Sequence, residues 1–286
     1  MKKINLLQCL CYASMALMVS CTSEELVQEN EEAKGIVMTV QDFQYESDSR
    51  TSIEMSAQGG QFTWSDNDTV GIFSNIEGGR QVDFPMAKGA GTNQAYFNGG
   101  GWALKSNTQY SAYYPLNGQF YLDKTQIPLV FKGQEQSGND SSAHLGQFDY
   151  LAAVATTPQN GNVNFNFQHL GCLVRLNFTM PQDGELTQVV LSSKEAIFAR
   201  TGTVDLTANP LAITPGNMAG TLAVQVKNLT AKANDDVKIY LMMAPVDLTG
   251  KTVNVSLTIG GKSVMCDGTL SQKNLMAGKA YRLSLQ

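Results

Sequence analysis

His144 and His169 are the two histidines of the chain, and neither has a Cys, Asp or Glu at ligand spacing, so no metal site is expected on them. Asp66 and Asp68 flank Asn67 as some calcium loops do, but no later Glu completes an EF-hand, and the run reads as turn chemistry. Gly250-Lys251-Thr252 and Gly261-Lys262-Ser263 end like phosphate-binding loops. Pro245 and Ser256 stand where each would need its upstream Gly, and no helix follows, so both read as hairpin turns. Lys88–Asn93 holds G-x-G without a third Gly and is also a turn. No Ser stands in a G-x-S-x-G setting. An enzyme is therefore not expected and no cofactor is implied, although carboxylates distant in sequence can still meet in a fold. Tyr110, Tyr113 and Tyr114 could form a platform for glycans; on alternating strands such rings more often fill cores and cross-strand pairs.

The cysteines carry more. Lys2 and Lys3 precede a mostly apolar stretch, Ile4–Val19, closed by Ser20-Cys21. A basic start, a short apolar run and a small residue before Cys resemble a bacterial lipobox, although Met18 stands where Leu is usual. Residues 1–20 read as a cleaved lipoprotein signal, with Cys21 as the lipidated residue. Thr22–Lys34 holds Glu24, Glu25, Glu29, Glu31 and Glu32, so residues 21–35 read as an acidic, solvated tether. An acidic patch just after a lipidated Cys also resembles a surface-export signal, which would put the chain outside the outer membrane; a plain periplasmic linker is the alternative. Cys9 and Cys11 leave with the signal. Cys172 and Cys266 remain, and can pair as in many exported proteins or stay as two buried thiols.

A net charge of −5 argues against nucleic-acid partners, because no basic stripe is present to displace counterions. Behind the tether, apolar residues alternate with period two almost throughout. Ile36–Val40, Thr69–Phe73, Tyr110–Tyr114, Leu151–Thr157, Val163–Phe167, Leu170–Phe178, Leu186–Leu191, Thr203–Leu206, Leu222–Val226, Lys238–Met243, Thr252–Ile259, Lys262–Cys266 and Tyr281–Leu285 read as strands. Asn117-Gly118 predicts a hairpin returning through Phe120–Leu122. Lys132–Gly146, rich in Gln, Ser, Asn and Gly, reads as a long exposed loop. No sustained helical period appears, so an all-β sandwich or barrel architecture is expected, with a seam near Asn160–Val163.

Several runs resemble the fimbrillin family in type and order. They are Arg50-Thr51; Phe62-Thr63-Trp64 with Asp68–Phe73; Tyr110–Pro115; Phe165–Leu170 leading on to Phe178; and Leu275–Leu283. The resemblance implies two tandem transthyretin-like β-sandwich domains, placed here at residues 36–161 and 162–286. It implies a subunit of a type V pilus, a fimbrium, on the outer membrane surface. Its partners would be other pilus subunits, the membrane through the lipid, and a host or bacterial surface ligand. In that family a protease cuts after an Arg, removes the first strand, and a neighbour's strand fills the groove. Here Ile36, Val37, Met38, Thr39 and Val40 would be the removable strand. Arg50, before Thr51, would be the cleavage site, since it lies in the polar stretch 41–56 and is the only Arg before Arg80. Shaft subunits of the family carry extra C-terminal strand material, so a tip or accessory position is expected for a chain ending at Gln286. The competing expectation is a surface glycan-binding lipoprotein of a nutrient-uptake system, which needs an exposed aromatic cluster.

Overall fold

The structure, a computed structural model, describes residues 35–45, 60–75, 79–99, 104–116, 118–157, 162–269 and 274–284. Cys21, Arg50 and Thr51 lie outside the described residues. In chain order the strands are β1 (Ile36–Val40), β2 (Gln44–Tyr45), β3 (Thr69–Ser74), β4 (Gln81–Lys88), β5 (Gln94–Phe97), β6 (Gln109–Tyr114), β7 (Ile127–Val130), β8 (Gln134–Ser137), β9 (Leu151–Thr156) and β10 (Val163–His169). They continue as β11 (Cys172–Thr179), β12 (Gly184–Ser192), β13 (Phe198–Ala199), β14 (Thr201–Val204), β15 (Ile213–Pro215), β16 (Met218–Ala219), β17 (Thr221–Lys227) and β18 (Thr230–Ala231). The last are β19 (Asp236–Met243), β20 (Val246–Asp247), β21 (Asn254–Ile259), β22 (Lys262–Thr269), β23 (Asn274–Leu275) and β24 (Lys279–Ser284). Among the described residues, the one helical element is a 3₁₀ turn at Leu145–Gln147. The chain is all-β, as its period-two pattern predicts.

Seven strands close into a barrel in the order β1-β10-β9-β6-β3-β4-β5. A sandwich would leave two sheets open; here β1 pairs on both sides, parallel with β10 and antiparallel with β5, and so stitches them together. The barrel also takes β10 from beyond residue 161, because Gln168 and His169 pair back onto Ala152 and Leu151 of β9. Alternate residues of each strand point inward. They build a core around Met38, Trp64, Phe84, Phe165 and Phe167.

The C-terminal half packs two sheets face to face. One has the order β19-β11-β24-β2 and the other β22-β21-β12-β17-β8. Val174, Leu176 and Phe178 of β11 share a core with Val189 and Leu191 of β12 and with Val255, Leu257 and Ile259 of β21. A third cluster, including Phe73, Tyr113, Phe131, Leu170 and Ala244, joins residues of both halves.

Two local expectations are corrected. Phe120–Leu122 forms no strand: Phe120 and Leu122 are exposed, and the Tyr121 amide donates to Gln81 Oε1 at 2.9 Å instead of to a ladder. The segment 132–146 is not all exposed loop, since it contains β8, whose Gln134 and Gln136 are fully buried. The backbone of β8 pairs with β17, while its two glutamine side chains turn to the open edge of β19. Gln134 donates to Met242 O at 2.5 Å and accepts from Met242 N at 2.8 Å. Gln136 donates to Lys238 O at 2.9 Å and accepts from Tyr240 N at 2.8 Å. Side-chain amides thus stand in for a neighbouring strand and cover an edge that would otherwise be free to pair with another chain. Cys172, deep in the core of the C-terminal half, forms no disulfide with Cys266.

Candidate functional site

The five residues expected to form a removable strand form β1. Its burial alternates: Ile36, Met38 and Val40 are buried in the barrel core, while Val37 and Thr39 are half-exposed. The register is Ile36 to Val163 through Val40 to Phe167 on one side, and Ile36 to Phe97 through Thr39 to Gln94 on the other. Outside, the Thr39 hydroxyl donates to Asn164 Oδ1 at 3.4 Å and accepts from Gln94 Nε2 at 3.3 Å. The Val40 amide donates to Asn93 O at 2.9 Å. Neighbouring strands lie about 4.8 Å apart, so β10 and β5 stand roughly 10 Å apart across β1, a gap one strand wide. Without β1, both flanking strands would show bare edges and the core would meet water, two costs that a single incoming strand removes together.

The segment does not stop at the barrel wall. Gln41, Asp42 and Phe43 carry the chain to β2, which pairs parallel with the start of β24. The Gln44 amide donates to Gly278 O at 3.0 Å, and Lys279 Nζ donates to Gln44 Oε1 at 2.8 Å. At the crossing stands His169, buried at the end of β10. Its Nδ1 lies 2.8 Å from Asp149 Oδ1 and its Nε2 lies 2.7 Å from Gln41 O. Phe43 stacks on its ring with centroids 3.7 Å apart and an interplanar angle of 26°. Both ring nitrogens face acceptors, so both bonds form only when both nitrogens carry protons. Burial works against that charge; the Asp149 carboxylate, the Gln41 carbonyl and the nearby Asp42 outweigh it, and His169 is held above the ordinary imidazole range.

His169, Asp149 and Phe43 were not recognised in the sequence as a unit, because Asp149 and His169 lie 20 positions apart and share no motif spacing. Pairing the hairpin across residues 158–161 would have found them, since His169 falls opposite Leu151, close to Asp149. The other residues weighed for chemistry are accounted for by structure. Asp68 Oδ2 accepts from the Ser65 amide at 2.7 Å and Oδ1 accepts from the Tyr114 hydroxyl at 2.9 Å, which is turn chemistry at a site where Asn67 adopts φ 74°. Burial and the adjoining Asp68 carboxylate push the Tyr114 hydroxyl well above its ordinary range. Tyr110 and Tyr113 are buried, with their hydroxyls bonded to the Lys105 amide and to Gln81, so the three tyrosines form no exposed platform. His144 donates to or accepts from no carboxylate; its Nε2 lies 3.1 Å from Tyr240 O, and burial lowers its basicity. Among the described residues no cluster of His, Cys, Asp and Glu could hold a metal ion.

The model of the fimbrillin-like family matches residues 55–286. The chain belongs to the fimbrillin-like family. The matched span starts C-terminal to β1 and to Arg50. The fold is similar to that of a candidate cell adhesion protein from Bacteroides ovatus. The two share 16% identity at a TM-score of 0.58, over 87% of this chain and 91% of that one. A candidate cell adhesion protein from Bacteroides uniformis is also similar, at 16% identity and a TM-score of 0.54, over 78% of this chain and 87% of that one. At such identities the likeness is one of fold. No protein of curated function matches the chain.

Proposed function

We propose that this chain is a structural, non-enzymatic subunit of a cell-surface fimbrium of the type V kind, which assembles by strand exchange. The observation that carries the reading is β1, one strand that closes the barrel between β5 and β10 and places Ile36, Met38 and Val40 in its core. A protease acting after Arg50 would free the segment that holds β1 and β2 and leave a groove with two bare edges and an apolar floor. A neighbouring subunit's strand fills that groove with the same backbone bonds, so main-chain pairing supplies affinity and alternating side chains supply fit. Two large cores, one formed by residues 36–167 and the other by residues 172–283, support a reading as two tandem transthyretin-like sandwiches, the first closed into a barrel while β1 is in place. The junction then falls after β10 and not at 161/162. Before processing, lipid on Cys21 and the acidic tether hold the chain at the outer membrane, on its external face. A tip or accessory position belongs to the same proposal. Cross-linking whole fimbriae tests it: C-terminal residues of this chain in a neighbour's groove would make it a shaft subunit instead.

The direct test is limited digestion of the intact chain with an Arg-specific protease. The expected result is an early cut at Arg50, loss of the N-terminal piece, and a shift to oligomers in size-exclusion chromatography. A chain that is cut there yet stays monomeric, with residues 36–40 still bound under exchange conditions, would refute strand exchange.

A further inference from the structure

The N-terminal segment is held in two separate places. Ile36, Met38 and Val40 fill the barrel, and then, three residues on, Phe43 fills a second pocket outside it. That pocket lies on the outer face of the four-stranded sheet, among Leu173, Tyr240, Met242 and Ala280. Its floor is the His169 ring, stacked on Phe43 with centroids 3.7 Å apart and anchored from behind by Asp149. A cleft of about 270 Å³ adjoins Phe43 and is lined in part by Phe62, Tyr114 and Leu145.

The two contacts made by His169 differ in what they demand. The Nε2 bond goes to a backbone carbonyl, that of Gln41, which any strand in this register can supply. The stack favours a flat ring at one position, because an aliphatic side chain covers less of the imidazole face without the ring–ring attraction and a small one would leave a void. The path between the pockets is also fixed in length, since Gln44 is already pinned to Gly278 and Lys279.

We propose that the strand which replaces the N-terminal segment in assembly is selected by an aromatic residue as well as by its apolar alternation: three core-facing residues at alternate positions, then an aromatic side chain three residues beyond the last, seated on His169. This inference rests on the strand-exchange reading and adds the chemistry of the partner. It predicts that a strand filling only the barrel is a poor partner, and that shifting its ring by one residue is as harmful as deleting it.

Peptide capture by the full chain cut at Arg50 tests this without altering the protein. The probes are fluorescent peptides covering residues 35–45: the native sequence, a Phe43→Ala form, a form with Asp42 and Phe43 exchanged, and a Val37→Ala control that alters an outward-facing position. The native and control peptides should bind alike, and the Phe43→Ala and exchanged peptides about tenfold or more weakly. Equal capture of the native and Phe43→Ala peptides would overturn the aromatic requirement and leave strand exchange standing. Equal weakening by Val37→Ala would also overturn it, by showing that bulk apolarity decides. Failure of the cut chain to capture the native peptide would overturn strand exchange and this inference together.

Discussion

Truncating Met38 to Ala should loosen β1 far more than truncating Thr39, its half-exposed neighbour. The Met38 side chain has 0% exposure and sits in register between Phe165 of β10 and Ala95 of β5. Losing its thioether removes buried apolar surface and leaves a cavity, together worth about 3 kcal/mol within the ~2–5 kcal/mol typical of such truncations. The strand spans only five residues and reaches the rest of the chain through β2, so it can open as a local unit before the barrel unfolds. The loss should therefore appear in native-state hydrogen exchange of amides 36–40. At about 1.4 kcal/mol per decade, 3 kcal/mol is roughly a hundredfold acceleration. Thr39→Ala, at a half-exposed position on the same strand, should change stability by no more than about 0.5 kcal/mol, or roughly twofold in rate. Exchange measured by mass spectrometry on both variants decides the matter. Equal acceleration by the two substitutions would refute the view that inward side chains, and not backbone pairing alone, hold β1 in place.

Three further outcomes follow from the same contacts. Gln136→Ala should orphan the Tyr240 amide at the edge of β19, while the Lys238 carbonyl keeps its bond from the Asp140 amide at 3.2 Å, with a cost of about 1–3 kcal/mol in urea unfolding. Because the folded state raises the basicity of His169, with Asp149, Asp42 and the Gln41 carbonyl facing it, that stability is fully present below the unfolded value of about 6.5 and is lost as pH rises through the raised folded value. Urea midpoints between pH 6 and pH 9 should therefore fall more steeply for the natural chain than for His169→Gln, and matching slopes would count against the imidazolium. Burial pushes the Cys172 thiol up to about 12, so site-resolved alkylation at pH 8 should leave it unmodified in the folded chain and label it after denaturation.

Much of this fold is legible from period-two alternation. β1, β6, β9, β10, β11, β12, β19 and β24 stand out because apolar residues alternate along them toward a core, even where a buried Ser111, His169 or Arg175 interrupts the apolar set. β8 is hidden because its buried residues are Gln134 and Gln136, polar side chains satisfied by another strand's backbone, so its inward face carries no apolar signal. The short pairs, such as β13 with β16 and β20 with β23, are two residues long and carry no readable period. Barrel closure is equally silent in sequence, since nothing in Ile36–Val40 says that the strand pairs on both sides. The alternation of Ile36–Val40 marks β1 as a strand, and only the family resemblance implies that it is a candidate site, whereas the His169 pocket arises only when a hairpin, a crossing segment and a sheet face meet.

The most direct measurement is the N-terminal sequence of this subunit recovered from assembled fimbriae. Strand exchange predicts a chain that begins at Thr51, without Ile36–Val40. A subunit that still carries residues 36–40 in the assembled fibre would contradict it.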